Sequence, residues 1–265
     1  MEKHLIHMDL TGFPGEILPY FQNADIYDSS SSERAQVYYC DRGYFVKTAP
    51  KGTLEKEARM NRLFYERGLG VEVLEYITAD RDYLVTAAAQ GQDLLHYLHE
   101  PEKLCEVLAD CLRELHSKDV TNVPLSEAYK KYMEATSASP AEGYGHSWVL
   151  MDRYPITSLK EAWSIMQDYK DQLSADTLIH GDACLPNVIL KDWKFSAFID
   201  FDQAGLGDRH MDLYWALWSL RYNLKTEGYA ERFLDRYGRE NFDPTLLRAV
   251  AAFEFFGHKH KKSDI

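Results

Sequence analysis

Across residues 1–90, apolar side chains recur in short runs broken by turn residues. Later they return every three or four positions over longer stretches. A period of two marks strands and one near 3.6 marks helices, so the first part reads as sheet and most of the remainder as helix. Gln36 to Cys40 and Tyr44 to Thr48 flank Asp41-Arg42-Gly43, which predicts a β-hairpin with glycine in its turn. A helix is predicted from about Thr53 to Arg67, and Tyr83 to Ala87 predicts a strand running into the linker Ala88 to Gly91. Helical spacing dominates residues 92–174, where Leu104, Leu108, Cys111, Leu112 and Leu115 fall on one face and His116 closes it as a core histidine. Thr177 to Ile179, Val188 to Leu190 and Phe195 to Ile199 are short apolar runs. The last two, joined by Lys191-Asp192-Trp193-Lys194, predict a second hairpin. Helices resume over Met211 to Leu224, Tyr229 to Tyr237 and Pro244 to Phe256. The expectation is an α+β protein with a small β-rich N-terminal lobe over residues 1–90 and a larger, mainly helical C-terminal lobe over 91–265.

The candidate chemistry gathers at the second hairpin. His180-Gly181-Asp182-Ala183-Cys184-Leu185-Pro186-Asn187 is a loop at its entry, and Asp200 in Ile199-Asp200-Phe201-Asp202 leaves its far end. Two strands bring these separated residues together. Transfer of a γ-phosphoryl group to an alcohol needs a carboxylate at the acceptor hydroxyl and oxygen ligands that hold Mg²⁺ against the phosphates. Asp182 suits the first task. Asn187 and Asp200 suit the second, because magnesium takes few protein oxygens and completes its octahedron with water and phosphate. Taken alone, Asp, Asn, Gly and Pro are ordinary turn residues; the strand context lifts them above that.

The first hairpin carries a matching feature. Lys47 lies on a strand and Glu57 on the helix after it, and kinase sites hold such a lysine on the α- and β-phosphates through an ion pair with a helical glutamate. Glu55 competes for the role, and helical periodicity does not decide between them. The run Ser29 to Arg34 is polar enough for a plain loop, yet its N–H groups and hydroxyls, Ser31 among them, can also close over phosphates.

The chain has 265 residues with a formal net charge of −12, from 30 basic and 42 acidic side chains. An acidic field disfavours nucleic acid and attracts cationic ligands. The four cysteines lack metal-ligand spacing and suit a reducing cytoplasm. No apolar run has the length of a membrane span, and the first residues lack a secretory core. The end, Gly257 to Ile265, is basic and expected to be a solvated tail.

His180 to Asn187, together with Phe195 to Leu213, resembles the aminoglycoside phosphotransferase family, and is most similar to its kanamycin and neomycin 3′-phosphotransferases. The likeness runs from about Tyr38 to Phe256. It implies a two-lobed, protein-kinase-like fold and an ATP- or GTP-dependent, magnesium-requiring phosphotransferase that acts on an aminoglycoside hydroxyl. Asp182 would be its base, and Asn187 and Asp200 its metal ligands. The resemblance favours Glu57 as the partner of Lys47. It makes the segment after Val85 the interlobe hinge, where the backbone of about Ala87 and Ala89 would bind adenine. Phe45 is either a ring against that base or a core aromatic. Asp208 and Asp212 match the family's GD-x-x-x-D element, with Asp208 read as a helix N-cap and Asp212 as a brace for the catalytic loop.

On the acceptor side the pattern departs from those relatives. Gln203 stands where they place arginine, Asp202 where they place glycine, Tyr222 where they place an acid, and Phe253 where they place one of two paired acids. Asp152, Asp202 and Glu254 remain the candidates for binding substrate ammonium groups. Glu254 is expected to face either solvent or the acceptor cleft. A kinase of another small alcohol, such as a different antibiotic, an amino sugar or a choline-like metabolite, is the alternative. A non-catalytic nucleotide-binding protein fits less well, since it would have no use for Asp182.

Overall fold

The computed structural model describes residues 4–30 and 35–257, which form two compact units that divide between Ala89 and Gln90.

The first unit is built on an antiparallel sheet of β1 (His4–Ile6), β2 (Ile26–Asp28), β3 (Gln36–Cys40), β4 (Tyr44–Pro50), β5 (Val73–Thr78) and β6 (Arg81–Ala87), in the spatial order β1-β2-β3-β4-β6-β5. The predicted hairpin is β3–β4, and Gly43 turns it with φ +93°. The outer strands β1, β2 and β5 were not apparent from the sequence pattern. Alternation then divides the unit into two cores. Val46, Tyr83 and Val85 point to one face and bury against Ile17, Phe21, Tyr38 and Cys40, next to the short helix α1 (Leu18–Phe21). Leu84 and Ala49 point to the other face and bury against Leu54 and Ala58, at the start of α2 (Glu55–Glu66). Lys47 pairs across the sheet with Leu84, so alternation alone aims it toward the side where α2 packs. Helix α2 begins two residues later than predicted. The Leu54 N–H donates to buried Asp82 Oδ2 at 2.9 Å, which pins the chain at that point.

The second unit is mainly helical: α3 (Pro101–His116), α4 (Glu127–Ala135), α5 (Leu159–Tyr169), α6 (Arg209–Leu224), α7 (Ala230–Tyr237) and α8 (Pro244–Phe256). Its strands are β7 (Gln92–Asp93), β8 (Thr177–Ile179), β9 (Val188–Lys191), β10 (Lys194–Phe198) and β11 (Gly205–Gly207). The second predicted hairpin is β9–β10, with β7 added at the outer edge of β9. β8 stands apart and pairs antiparallel with β11. Ile199 and Asp200 lie beyond the end of β10 instead of within a strand. Helix α3 buries the predicted face through Leu104, Leu108, Leu112 and Leu115, packing against α6 and α7. Helix α8 packs against α5 and α6, and its Phe253 is fully buried with its ring stacked on Tyr132 at 4.6 Å between centroids. Truncating such a ring costs about 3–5 kcal/mol. Phe253→Ala should therefore lower the urea midpoint by that equivalent at unchanged slope, whereas Tyr222→Ala, at a position 53% exposed, should move it little.

Candidate active site

The entry to the loop between β8 and β9 is held from beneath by Asp212, and Leu185 further along it donates its N–H to Ser219 Oγ at 3.0 Å. Asp212, on the first turn of α6, is fully buried and accepts the backbone N–H groups of His180 and Gly181, each at 2.7 Å. Its Oδ2 also meets His116 Nε2 at 3.1 Å, and the other ring nitrogen of His116 meets the Tyr237 hydroxyl at 2.8 Å. Asp208 caps the same helix by accepting from His210 N at 2.9 Å. Gly181 has φ +78°, and a Cβ there would come within 2.4 Å of the Gln203 carbonyl oxygen, so the loop requires glycine at this point.

Above that brace, Asn187 Nδ2 donates to Asp182 Oδ2 at 3.0 Å and to the Asp182 carbonyl at 2.9 Å. This leaves the amide oxygen of Asn187 as its outward acceptor. Burial pushes the Asp182 carboxyl above the ordinary carboxylate range; the nearby charge of Asp200 adds to the shift, while His180 and Asn187 oppose it. Ile199 N donates to the Asn187 carbonyl at 3.0 Å, and His180 Nε2 meets the Ile199 carbonyl at 2.9 Å, so the two ends of the motif are tied together. Asp200 follows in the left-handed region, φ +67°, with its side chain exposed. The sequence places Asp182, Asn187 and Asp200 up to 18 positions apart; the structure joins Asn187 to Asp182 directly and to Ile199, the residue before Asp200, through the backbone. Among the described residues no cluster of three or more His, Cys, Asp or Glu side chains could hold a metal. One carboxylate and one amide oxygen make a donor set that fits magnesium shared with phosphate oxygens and suits zinc poorly.

In the first unit, Lys47 Nζ donates to both carboxylate oxygens of Glu57 at 2.8 Å, a half-buried, bidentate ion pair. Glu57, rather than Glu55, is its partner. Phe45 packs its ring against Tyr39 at 5.0 Å. The Ala87 N–H is spent on the Glu72 carbonyl at 2.9 Å and that of Ala88 on the Gly43 carbonyl, so Ala87 has no N–H left for a purine and Ala89 is the remaining donor of the expected pair. Ser31 lies outside the described residues; the adjoining turn is closed by Ser30 N on Asp28 Oδ1 and Val37 N on Ser30 Oγ.

Residues 27–251 match the model of the phosphotransferase enzyme family. The chain belongs to that family. It is 38% identical over 95% of its length, and 98% of the relative's, to a probable aminoglycoside 3′-phosphotransferase of Lactococcus lactis. It is 30% identical over 72% of its length, and 76% of the relative's, to a streptomycin 3″-kinase of Streptomyces griseus. An aminoglycoside phosphotransferase of Streptomyces rimosus, solved with ADP and streptomycin, shares its fold with a TM-score of 0.66 at 20% identity, covering 96% of this chain and all of that one. The protein is thus a phosphotransferase with the two-lobed kinase-like fold of its family, acting on a hydroxyl. None of its described helices is long and apolar enough to cross a membrane.

The acceptor-side candidates stand differently from what the sequence suggested. Asp152 is exposed, and its N–H donates to Glu227 Oε1 at 2.6 Å. Asp202 is exposed and accepts from Gln203 Nε2, whose own Oε1 takes Lys131 Nζ at 2.9 Å. Glu254 is partly buried and engaged by its neighbours. Its Oε1 accepts the Tyr132 hydroxyl at 2.5 Å and the Trp215 indole N–H at 3.0 Å. Tyr132 and Trp215 had not been singled out, although Trp215, Trp218 and Tyr222 stand at the spacing of one helical face.

Burial raises the Glu254 carboxyl from an ordinary 4.5 to about 7, with Asp182 adding to the shift and Lys131 opposing it. Between those two values the unfolded chain releases this proton first, so stability falls as pH rises through the window and the full cost is present above it. Glu254→Gln, neutral at every pH, should therefore raise the thermal midpoint at pH 8 and leave it near the wild-type value at pH 5. A shift of equal size at both pH values would contradict the assignment.

Proposed function

We propose that this chain is an ATP-dependent O-phosphotransferase for aminoglycosides, with Asp182 as the base and Asn187 and Asp200 as magnesium ligands. The observation that carries the reading is the Asn187–Asp182 contact at 3.0 Å, because it fixes a carboxylate of raised basicity beside an amide oxygen and a second carboxylate. Asp182 would accept a hydrogen bond from the acceptor hydroxyl, orient its oxygen for in-line attack, and take its proton as the new P–O bond forms and the bridging bond to the nucleoside diphosphate breaks. Magnesium, held by Asn187 and Asp200, would neutralise charge on the phosphates. Lys47, positioned by Glu57, would bind the α- and β-phosphates, and Ala89 would present its N–H to the base. Cationic acceptors are favoured by the net charge of −12 and by the exposed carboxylates of Asp152 and Asp202. The thiols, unpaired among the described residues, and the use of ATP fit a cytoplasmic enzyme. A second reading keeps the chemistry and changes the acceptor to another small alcohol. It is favoured by the engagement of Glu254 with Tyr132 and Trp215, which removes a carboxylate from the surface that an ammonium group would meet.

Replacement of Asp182 by Asn should leave MgATP affinity near wild type and lower kcat by roughly 10²–10⁴-fold on kanamycin or neomycin. A variant that keeps a large share of kcat would remove Asp182 from the role of base. In isothermal titration with MgATP, Asp200→Ala should abolish the magnesium-dependent part of binding, whereas Asp202→Ala should preserve it and change mainly the acceptor KM. Equal loss in the two variants would make Asp202 a ligand as well.

A further inference from the structure

A continuous row of rings crosses the second unit beside the catalytic loop. Tyr144 stacks on His146 with centroids 5.7 Å apart and planes 9° apart, and His146 leads to Trp148 at 6.4 Å. Trp148 meets Trp215 at 6.3 Å and Trp218 at 5.6 Å, and Trp218 stacks on Tyr222 at 5.0 Å and 11°. Tyr144, Trp148 and Tyr222 are 47%, 45% and 53% exposed, which makes them half of the large exposed apolar side chains among the described residues. A folded chain seldom leaves contiguous aromatic surface uncovered without a use for it.

Near its middle, at Trp215, the row approaches the loop that carries Asp182. The Trp215 indole N–H holds Glu254, whose carboxyl feels the charge of Asp182, and the Trp215 carbonyl lies 4.0 Å from the Cys184 sulfur in the catalytic loop. Two of the acids at this site are engaged: Glu227 pairs with Arg153 at 3.3 Å, and Glu254 is held by Tyr132 and Trp215. At the far end, Lys225 Nζ sits 4.3 Å from the centroid of Tyr222, so that ring already carries a cation and would repel a second.

We propose that this row is the acceptor platform, and that it selects glycosides which lay the apolar face of a sugar ring on the rings and carry few ammonium groups. Ring faces are negative and attract the polarised C–H groups of a sugar, and the stacked area brings dispersion and desolvation without any charge partner. The inference rests on Asp182 as the base and narrows the acceptor class of that same site.

The test uses the full chain, wild type beside Trp148→Ala, Trp148→Phe and Tyr222→Ala, exposed positions whose truncation spares the core. The probes are phenyl glucosaminide, with one amine, and kanamycin, a polycation. Each alanine variant should raise the phenyl glucosaminide KM by about tenfold with an unchanged MgATP KM, and Trp148→Phe should recover most of it. Added NaCl should leave the wild-type KM for that probe nearly constant. Kanamycin turnover with a KM that neither alanine variant moves would overturn the platform and preserve the aminoglycoside kinase reading. Tryptophan fluorescence quenched by phenyl glucosaminide in wild type but not in the alanine variants, with neither glycoside phosphorylated, would support the platform and defeat the kinase reading. A wild-type dimer that Trp148→Ala dissociates would assign the rings to a second copy of the chain and overturn the proposal.

Discussion

The Asp212 carboxylate is the constraint on which the reactive loop depends. Two consecutive backbone N–H groups, those of His180 and Gly181, converge on one fully buried side chain. Donors to a buried charge must stay paired, since an orphaned one costs about 1–3 kcal/mol. The loop therefore cannot drift without breaking several contacts together, and the direction of Asp182 is inherited from helix α6 through that joint. His116 extends the joint to Tyr237 on α7, so two helices far apart in sequence share in aiming one carboxylate.

The same economy governs Lys47 and Glu57 in the first unit. A lysine in a strand has long, soft torsions, and an ion pair with both oxygens of a helical glutamate narrows them to one arrangement. Because the pair is half-buried, its geometry is worth more than a surface bridge would be, and its main effect is orientation. Both units thus use a carboxylate that touches no reactant to direct the group that would.

Much of this was legible in the chain, for identifiable reasons. The loop His180 to Asn187 is contiguous, and the turn and strand around it have local signatures; the step from Lys47 to the next helix spans one strand end and one helix start, while the choice of Glu57 over Glu55 came from the family resemblance. The N-cap role of Asp208 follows from a short polar side chain before a helix. What was not legible depends on pairings with no local signal. The run Thr177 to Ile179 was visible as an apolar stretch, but its pairing as β8 with the three-residue β11 has no local signal. Ala87 spends its N–H on Glu72, a partner fixed only by the register of the β5 and β6 strands and the chain just before β5. Glu254 could not be placed among its aromatics because Tyr132 is 122 residues away in sequence. A carboxylate on a helix is exposed by default, and only tertiary contacts reverse that.

The backbone of Asp200 has a meaning separate from its chemistry. With φ +67°, the position disfavours β-branched residues but accepts Asn nearly as well as Asp, since both short polar side chains tolerate the left-handed region. The backbone conformation alone therefore does not distinguish the charged residue from its amide. A relative with Asn here could keep the same turn, and the exchange would leave no mark on the path of its backbone. At this position the backbone dictates a shape, and the charge is a separate property that the turn does not require.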